Sequence, residues 1–393
     1  MKVALLSHEG GGVSSVCYGL AHSLSKRKVE TTIFSTTTDR KSKVEKINNY
    51  LEIVRLPLID YPPRFLWFHF RNSGTLLKLL EDYTLIHAVS PEMAIPYTFF
   101  RKRSKKPLIT TLHGSNKAAL KAFIQSPIKN WALSDFALHV LELPLHEMII
   151  KRCFARSNRV VVCSFATLNE LKMCEGFDIS KVSVIYNGVN FGEIQQEEAE
   201  IRDGNTDGEH ELSIMYAGRL FWMKGITFAL ESYEKMKTQF KNLHLKIFGK
   251  GPLQSEIETF IASRGLENDV YFGGFLPHKE LIREIKKADV VVFPSVYESQ
   301  PMFALEAMAC KKPLIAFDFP YACEFIKNGH NGLLAKAYDV NDLSNKIALA
   351  LHDRKLRRKL GENAYEYVKR NHDWDTQAEK YLKVYNKSMN GQN

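Results

Sequence analysis

Apolar and polar positions follow one another in a rhythm that predicts parallel β/α units. Short apolar runs recur along the first half of the chain, and stretches with helical spacing separate most of them. We assign strands to KVALLS, ETTIFST, EIVRL, LIHAV, PLITTLH, RVVVCS and VSVIYNG. Apolar strands that alternate with helices are typical of a parallel sheet covered on both faces.

The same rhythm restarts after a polar interruption. Residues 194–211, IQQEEAEIRDGNTDGEHE, are charged and contain glycine, as interdomain linkers do. Further strands follow at LSIMYAG, LHLKIFG, VYFGGF, DVVVFPS, PLIAFD and GLLAK. No short-period repeat is visible, so a solenoid is rejected. We therefore predict two α/β domains, with a ligand beyond the carboxyl ends of their strands, in the cleft between two facing sheets.

The net charge and its distribution along the chain limit the kinds of partner that the protein can have. The chain has 393 residues and a net charge of +10. Residues 1–193 hold 26 Lys and Arg against 16 Asp and Glu, whereas residues 194–393 hold 28 of each, so the excess lies in the first half. The alternatives are a solvated basic surface or an anionic partner: membrane phospholipid, phosphorylated lipid or nucleic acid.

The remaining composition predicts a cytoplasmic protein. None of the six cysteines forms a C-x-x-C pair, which favours reduced thiols. The N-terminus lacks a signal-peptide layout, and no apolar run is long enough to span a bilayer.

Glycine and cationic residues follow several predicted strands. Gly11 and Gly12 in SHEGGGVSS open a helix, where backbone N–H groups can approach a phosphate, although the turn lacks the G-x-G-x-x-G pattern. Arg219 and Lys224 in AGRLFWMKG are two cations that can converge on one pyrophosphate, or else two solvated surface cations. Gly249 in FGKGPL forms a tight turn at the predicted cleft edge, where we expect it to bind the donor.

A pair of carboxylates follows the strand DVVVFPS. Glu298 lies in the loop YESQP, and Glu306 lies in the second turn of the helix that starts with MFALEAMAC. Between them, the amides of Met302, Phe303 and Ala304 point out of a helix N-terminus, which favours an anion. Carboxylates accept hydrogen bonds from hydroxyls. The arrangement predicts a nucleotide sugar, with phosphate in the middle and one sugar at each end.

These motifs together resemble the retaining glycosyltransferases of family four. ESQPMFALE, followed by AMACKKPLIA, resembles the family's signature of two glutamates separated by seven residues. SHEGGGVSS, TLHGSN, VIYNGVN, AGRLFWMKG, FGKGPL and CEFIKNGHNGLL match further elements in order, so the resemblance covers nearly the whole chain. It implies the glycosyltransferase B fold, two facing Rossmann-like domains: residues 1–205 on the acceptor side, residues 206–374 on the donor side, and residues 375–393 crossing back onto the first domain.

The resemblance also implies a role for each matching residue. Arg219 and Lys224 would bind the donor pyrophosphate, while the amides of residues 302–304 would hold the distal phosphate. Glu306 would bind the nucleotide ribose, and Glu298 would lie near the transferred sugar. Gly11 and Gly12 would approach the donor from the first domain, and His113 would contact the donor sugar. Ser299–Phe303 departs from the small residues that the family often has there, which leaves the donor sugar open.

We therefore expect a hexosyltransferase that uses a UDP- or GDP-linked donor and needs no metal or other cofactor. The only D-x-D sequence, Asp373 and Asp375, lies where a helix should start, as a cap would. Two segments mix aromatic and basic residues, residues 58–74 with Arg64, His69 and Arg71, and residues 118–150. They predict contact with an anionic membrane and a lipid or lipid-linked glycan acceptor, unless they are ordinary helices with buried aromatics.

Several alternatives remain open. A soluble acceptor, a nucleotide-sugar epimerase, a phosphorylase-like enzyme and a non-catalytic relative share the fold. A basic nucleic-acid-binding protein would use RKRSKK, residues 101–106, but would leave the strand-end motifs unexplained. We therefore expect no nucleic-acid partner.

Overall fold

The computed structural model describes residues 1–58, 64–100, 106–114, 116–126, 133–174, 176–197, 211–240 and 242–391. The chain divides into two compact units. The N-terminal unit comprises Met1–Ala118, Leu138–Gly188 and Trp374–Asn393, and the C-terminal unit comprises Ala119–Ala137 and Val189–Asp373. The predicted boundary at residue 205 lies outside the described residues, as do residues 198–210 of the predicted linker.

Helices alternate with strands through both units. The strands are β1 Lys2–Leu6, β2 Glu30–Thr37, β3 Lys43–Asn48, β4 Leu51–Pro57, β5 Leu85–Ala88, β6 Leu108–Leu112, β7 Arg159–Val162, β8 Val182–Val184, β9 Leu212–Ala217, β10 Leu243–Phe248, β11 Val270–Gly274, β12 Val290–Phe293, β13 Leu314–Phe317 and β14 Leu333–Ala335. The helices are α1 Gly11–Lys26, α2 Arg64–Leu79, α3 Asn116–Gln125, α4 Leu133–Arg156, α5 Phe165–Lys172, α6 Phe191–Gln196, α7 Ile226–Met236, α8 Gln254–Ser263, α9 His278–Lys287, α10 Met302–Ala309, α11 Pro320–Cys323, α12 Val340–His352, α13 Arg354–Asn371 and α14 Trp374–Asn390.

The described residues of each unit form one sheet. The N-terminal sheet has the order β3-β4-β2-β1-β5-β6-β7-β8, and the C-terminal sheet has the order β11-β10-β9-β12-β13-β14. Every strand pair is parallel except β3 with β4. In both sheets the strand order reverses beside the first strand, between β1 and β5 and between β9 and β12. Doubly wound sheets bind ligands at such a switch point.

The central strands owe their position to continuous apolar sequence. All described residues of β5, β12 and β13 are buried. Parallel strands covered by helices on both faces need apolar side chains on both faces, so their sequences show no alternation. The prediction of two parallel α/β domains is confirmed.

Strand β3 was not predicted. Its sequence KVEKIN is exposed throughout, and it pairs antiparallel with β4 at the edge of the N-terminal sheet. An edge strand with two exposed faces carries no hydrophobic signal. Its lysines, Lys43 and Lys46, protect the edge against pairing with another chain.

Helix α14 belongs to the N-terminal unit and is anchored there at three points. The hydroxyl of Tyr385 lies 2.7 Å from Nδ1 of His87 in the fully buried strand β5. Asp375 accepts hydrogen bonds from Ser23 in α1 at 2.7 Å and from Arg27, the residue after α1, at 3.2 Å. Asp375 therefore ties two helices together and is not the free carboxylate that a D-x-D metal motif would need.

Trp374 provides the third anchor. A Cβ added at Gly19 would come within 2.1 Å of the indole, and one added at Gly188 would come within 2.4 Å. The indole is thus held in a slot that two glycines leave open.

Two sequence expectations can be checked against the described residues. No helix among them is long and apolar enough to cross a bilayer. No disulfide joins any of the six cysteines, all of which lie in the described ranges, and Cys17, Cys153, Cys163 and Cys310 are buried.

We predict that Gly19→Ala destabilises the N-terminal unit by about 1–3 kcal/mol, because the added methyl group would overlap the pinned indole of Trp374. Gly74→Ala is the matched control. Gly74 also lies within a helix, nothing lies within 4 Å of its added Cβ, and alanine there should be neutral or stabilise by up to about 1 kcal/mol. Melting temperatures of the three proteins test this prediction. Equal melting temperatures for Gly19→Ala and wild type would show that the Trp374 indole does not need the space that Gly19 leaves.

Candidate active site

Three neighbouring loops meet at the carboxyl edge of the C-terminal sheet. They follow β10, β9 and β12, which lie side by side in that order. The loops after β9 and β10 touch through their backbones: Gly218 N donates to Phe248 O at 3.0 Å, and Leu220 N donates to Lys250 O at 3.0 Å. Gly249 has φ +142°, and a Cβ there would lie 1.8 Å from Gly218 O. Only glycine permits this approach.

The loops after β9 and β12 are joined in the same way. Gly225 has φ +69°, and an added Cβ would lie 2.0 Å from Pro294 O. Val296 N donates to Met223 O at 2.8 Å, and Ser295 Oγ donates to the same oxygen at 2.9 Å. These contacts fix residues 219–225 against the end of β12.

Lys224 and Glu298 form an ion pair at this junction. The Lys224 ammonium contacts Glu298 Oε1, and Ser295 Oγ lies 3.1 Å from the same oxygen. The lysine side chain is 26% exposed and the glutamate side chain 14%. The structure therefore brings together two residues predicted from separate motifs. Since an ammonium has three donors, Lys224 can hold Glu298 and still donate to a phosphate.

Arg219 and the start of α10 supply further positive potential. Arg219 is exposed, and its guanidinium lies 5.5 Å from the ring centroid of Phe221. Helix α10 begins at Met302 after Pro301, and no side chain caps it. The amides of residues 302–304 therefore face outward at the positive end of the helix dipole. Three residues separate this helix from Glu298.

Glu306 lies on the buried side of α10 and has a partner that the sequence did not reveal. Its side chain is 9% exposed, and Oε1 lies 2.9 Å from Nε2 of His278, the first residue of α9. The hydrogen bond to Glu306 raises the pKa of His278 above its ordinary value, although burial opposes the rise. In the sequence, only the pair Pro277-His278, at a helix start just after β11, could have pointed to His278. That pair alone indicates no functional role.

The other predicted residues lie in the N-terminal unit. Gly11 and Gly12 are exposed at the start of α1, and a Cβ added to either would meet no atom within 4 Å. His113 follows β6. Burial lowers its pKa to about 4, against a smaller opposing effect of a hydrogen bond with the Val89 backbone. Its Nε2 is buried and has no hydrogen-bond partner in the described structure.

The arrangement of the C-terminal unit suits a phosphate flanked by hydroxyl-bearing groups. Cations and helix amides stand beside carboxylates, which accept hydrogen bonds from hydroxyls. Within the described ranges, no group of three or more His, Cys, Asp or Glu is arranged to hold a metal ion.

Two protein-family models match successive parts of the chain. Residues 10–193 match the family model described as Glycosyltransferase Family 4, and residues 197–367 match the model described as Glycosyl transferases group 1. An uncharacterized glycosyltransferase of Methanocaldococcus jannaschii is 26% identical over 404 residues, covering 99% of each protein.

Solved structures show the same fold. Sucrose-phosphate synthase from Thermosynechococcus elongatus has a TM-score of 0.79 at 22% identity and covers 99% of both chains. HepE of Anabaena, in complex with UDP and glucose, has a TM-score of 0.74 at 17% identity and covers 98% of this chain and 99% of its own. The two parallel-sheet units thus have the glycosyltransferase B fold.

We predict a pH-dependent contribution of the pair formed by His278 and Glu306. Because folding raises the pKa of His278, the pair should stabilise the protein fully below the ordinary value of 6.5, and this stability should be lost as pH rises through the raised pKa. Melting temperatures of wild type and His278→Gln should therefore differ most at acidic pH and converge at alkaline pH. His330→Gln, at an exposed position of the same unit, is the control. A difference that grows with pH would contradict the pairing.

Proposed function

Because this chain belongs to the group 1 glycosyltransferases of family four, we propose that it moves a hexosyl group from a nucleoside-diphosphate sugar to a lipid or lipid-linked glycan. The observation that carries the donor half of this proposal is the Lys224–Glu298 pair beside the uncapped start of α10. In this pair, the Lys224 ammonium can bind a phosphate, and the Glu298 carboxylate can accept a hydrogen bond from a sugar hydroxyl.

The donor would extend along the three joined loops. Lys224 and Arg219 would bind the pyrophosphate, and the amides of residues 302–304 would bind its distal phosphate. Glu306 would accept hydrogen bonds from the ribose hydroxyls, oriented by His278. Glu298 would accept from the transferred sugar. We favour UDP as the nucleotide part of the donor. HepE of Anabaena has the same fold, and its structure is in complex with UDP and glucose.

In the reaction, the bond between the anomeric carbon and the β-phosphate oxygen breaks, and the acceptor hydroxyl oxygen forms the new bond. The hydroxyl proton passes to the departing phosphate. Positive charge at the strand ends stabilises the nucleoside diphosphate as it leaves. We propose that this charge replaces a metal ion and that transfer retains the anomeric configuration.

The acceptor half of the proposal rests on helix α2. Trp67 is 40% exposed and Phe70 is 88% exposed, beside exposed Arg71 and Lys78. Aromatic and basic side chains on one helix surface suit a bilayer interface. We propose that this surface binds anionic membrane, which would place the protein on the inner face of the cell membrane.

One residue of the predicted membrane surface is buried, and parts of both predicted segments lie outside the described residues. His69 was grouped with the exposed aromatic and basic residues, and this is wrong, because its side chain is buried at 3% exposure. Residues 59–63, residues 127–132 and the side chain of Arg64 lie outside the described residues. The same holds for residues 101–105 of RKRSKK, the segment named for the nucleic-acid-binding alternative.

We predict that UDP stabilises the wild-type protein, by about 2.7 kcal/mol at a concentration 100 times its dissociation constant. Lys224→Met and Glu306→Gln should each weaken UDP binding about 10- to 100-fold, the cost of a hydrogen bond to a charged group. Thermal shifts with UDP, GDP and ADP measure this.

Lys246→Met is the matched control. Lys246 pairs with Glu284 at 3.0 Å in the same unit, and its side chain is 29% exposed, similar to that of Lys224. Equal loss of binding in Lys246→Met and Lys224→Met would contradict the assigned site. If no nucleotide shifts the wild-type melting temperature, the proposed function gives way to a non-catalytic relative. Nucleotide-sugar turnover to a new nucleotide sugar without an acceptor would instead indicate an epimerase.

We predict that the protein sediments with vesicles of equal parts phosphatidylcholine and phosphatidylglycerol. Phe70→Ser should weaken this binding about 10- to 100-fold, because burying a phenylalanine contributes roughly 1.5–3 kcal/mol. Met173→Ser is the control, since Met173 is 75% exposed in the same unit but lies outside α2. Unchanged sedimentation of Phe70→Ser would favour a soluble acceptor.

A further inference from the structure

A cavity of about 830 Å³ lies along one face of the C-terminal sheet, and we call it the β10 cavity. All of its lining residues belong to the C-terminal unit. They come from β9, β10 and β11, from the residues just before β9 and β11, and from α9. The lining contains none of the predicted donor-binding residues, which follow the carboxyl ends of the strands. A ligand in this cavity would therefore take no direct part in the transfer reaction.

The cavity exists because β10 is covered on one face only. In its sequence LHLKIF the two leucines and the isoleucine are buried, whereas His244 and Lys246 remain partly exposed. The strand register places Ser213 of β9 beside His244, and Tyr271 of β11 beside Lys246, so all four lie on the same face. Inner strands of a parallel sheet are normally covered on both faces. An open, polar face on β10 thus departs from the pattern of the rest of this sheet.

The lysines and the arginine that line the cavity are all held by carboxylates. Glu284 pairs with Lys246 at 3.0 Å and with Lys287 at 2.7 Å. Arg283 lies 2.8 Å from Glu197, which is not part of the lining. Because these cations are already engaged, the cavity is poorly suited to bind a phosphate or another anion.

Exposed carboxylates of the lining favour hydroxyl groups over anions. Glu211, Glu267 and Glu280 are exposed and line the cavity. Ionised carboxylates accept hydrogen bonds from hydroxyls, whereas an anionic ligand beside them would meet like charge. Asn268, which is also exposed in the lining, adds an amide that both donates and accepts.

Tyr271 adds an aromatic wall to this polar cavity. Its ring packs edge-on against Phe248, with ring centroids 5.9 Å apart, and the residue remains 59% exposed. An exposed aromatic ring can cover the C–H groups of a sugar ring while polar groups bind the hydroxyls. Cavities of roughly 300–1,000 Å³ hold small molecules and are mostly apolar. A cavity of this size with a mainly charged and polar lining indicates a ligand that is itself polar.

We propose that the β10 cavity binds an uncharged sugar, as a second glycan site separate from the donor and the acceptor. Tyr271 would stack against the sugar ring, and Glu267 and Asn268 would bind its hydroxyls. The cavity would hold a part of a glycan that does not react, while transfer takes place at the strand ends. The sugar would bind here whether or not UDP binds beyond the carboxyl ends of the strands.

Saturation-transfer difference NMR on the full-length protein, with excess UDP present, is the first test. The neutral probes are maltose, lactose and methyl mannoside, and glucose 6-phosphate is the charged probe. We expect at least one neutral sugar to bind equally well at about 50 and about 500 mM NaCl, because an uncharged ligand is not screened by salt. Glucose 6-phosphate should bind at least 10-fold more weakly than that sugar. Tighter binding of the phosphate, binding that falls with salt, or no response to any neutral sugar would overturn the proposal.

The variant Tyr271→Ser locates the site. It should weaken binding of the responding sugar at least 10-fold, because the aromatic wall is removed. Phe275→Ser is the matched control, since Phe275 is 65% exposed in the same unit but does not line the cavity. This control should bind the sugar as wild type does. Equal loss in both variants, or no loss in Tyr271→Ser, would show that the sugar binds elsewhere.

The variant Glu267→Gln tests the polar contacts and separates them from the donor site. It should weaken sugar binding about 10- to 100-fold, the cost of a hydrogen bond to a charged group, while UDP still stabilises the variant. Glu258→Gln, at an exposed position of α8 outside the lining, should bind the sugar as wild type does. Normal sugar binding by Glu267→Gln would contradict the proposed contacts. A wild type that binds the sugar but not UDP would support the cavity and count against the donor site alone.

The position of β11 at the edge of the described sheet allows one other occupant, a second copy of this chain. Sedimentation velocity of wild type and Tyr271→Ser distinguishes the two. We expect both proteins to have the same oligomeric state. A wild-type dimer that Tyr271→Ser dissociates would show that this face is an interface between copies, and the sugar site would be excluded.

Discussion

Burial of the central strands on both faces is the constraint on which the rest of the structure depends. Strands such as β5 and β12 have no exposed face. Polar side chains that meet a ligand can therefore lie only beyond the ends of these strands. Because neighbouring strands run parallel, their carboxyl ends share one edge of the sheet. The cations and carboxylates of the C-terminal unit lie at such an edge, next to the point where strand order reverses.

Close backbone contact then determines where the charged groups stand. The loops after β9, β10 and β12 touch without intervening side chains at Gly225 and Gly249. The flexible side chain of Lys224 starts from a fixed position, and Glu298 meets it from the neighbouring loop. The close backbone contacts that Gly225 and Gly249 allow are therefore as important to the ion pair as its two members.

The sequence predicted those features that follow from the residues of a single segment. Continuous apolar runs identified the buried parallel strands, and strand-end motifs identified Lys224 and Glu298 as site candidates before their pairing was known. The sequence did not predict features that depend on contacts between distant parts of the chain. Strand β3 is exposed on both faces, His278 acquires its importance only from Glu306, and His69 is buried on a helix that exposes Trp67 and Phe70. Spacing along a helix shows which residues share a face, but it does not show which face is covered.

The return of α14 to the N-terminal unit has a consequence for biosynthesis. Tyr381 and Tyr385 are fully buried there, so the core of this unit stays open until residues 374–390 have been synthesised. The C-terminal unit is built almost entirely from Val189–Asp373, which leaves the ribosome earlier. The second unit in the sequence can therefore complete its core before the first, reversing the usual order in which domains fold during translation. A nascent chain would meanwhile expose the apolar surface that α14 later covers, and this surface is a natural target for chaperones.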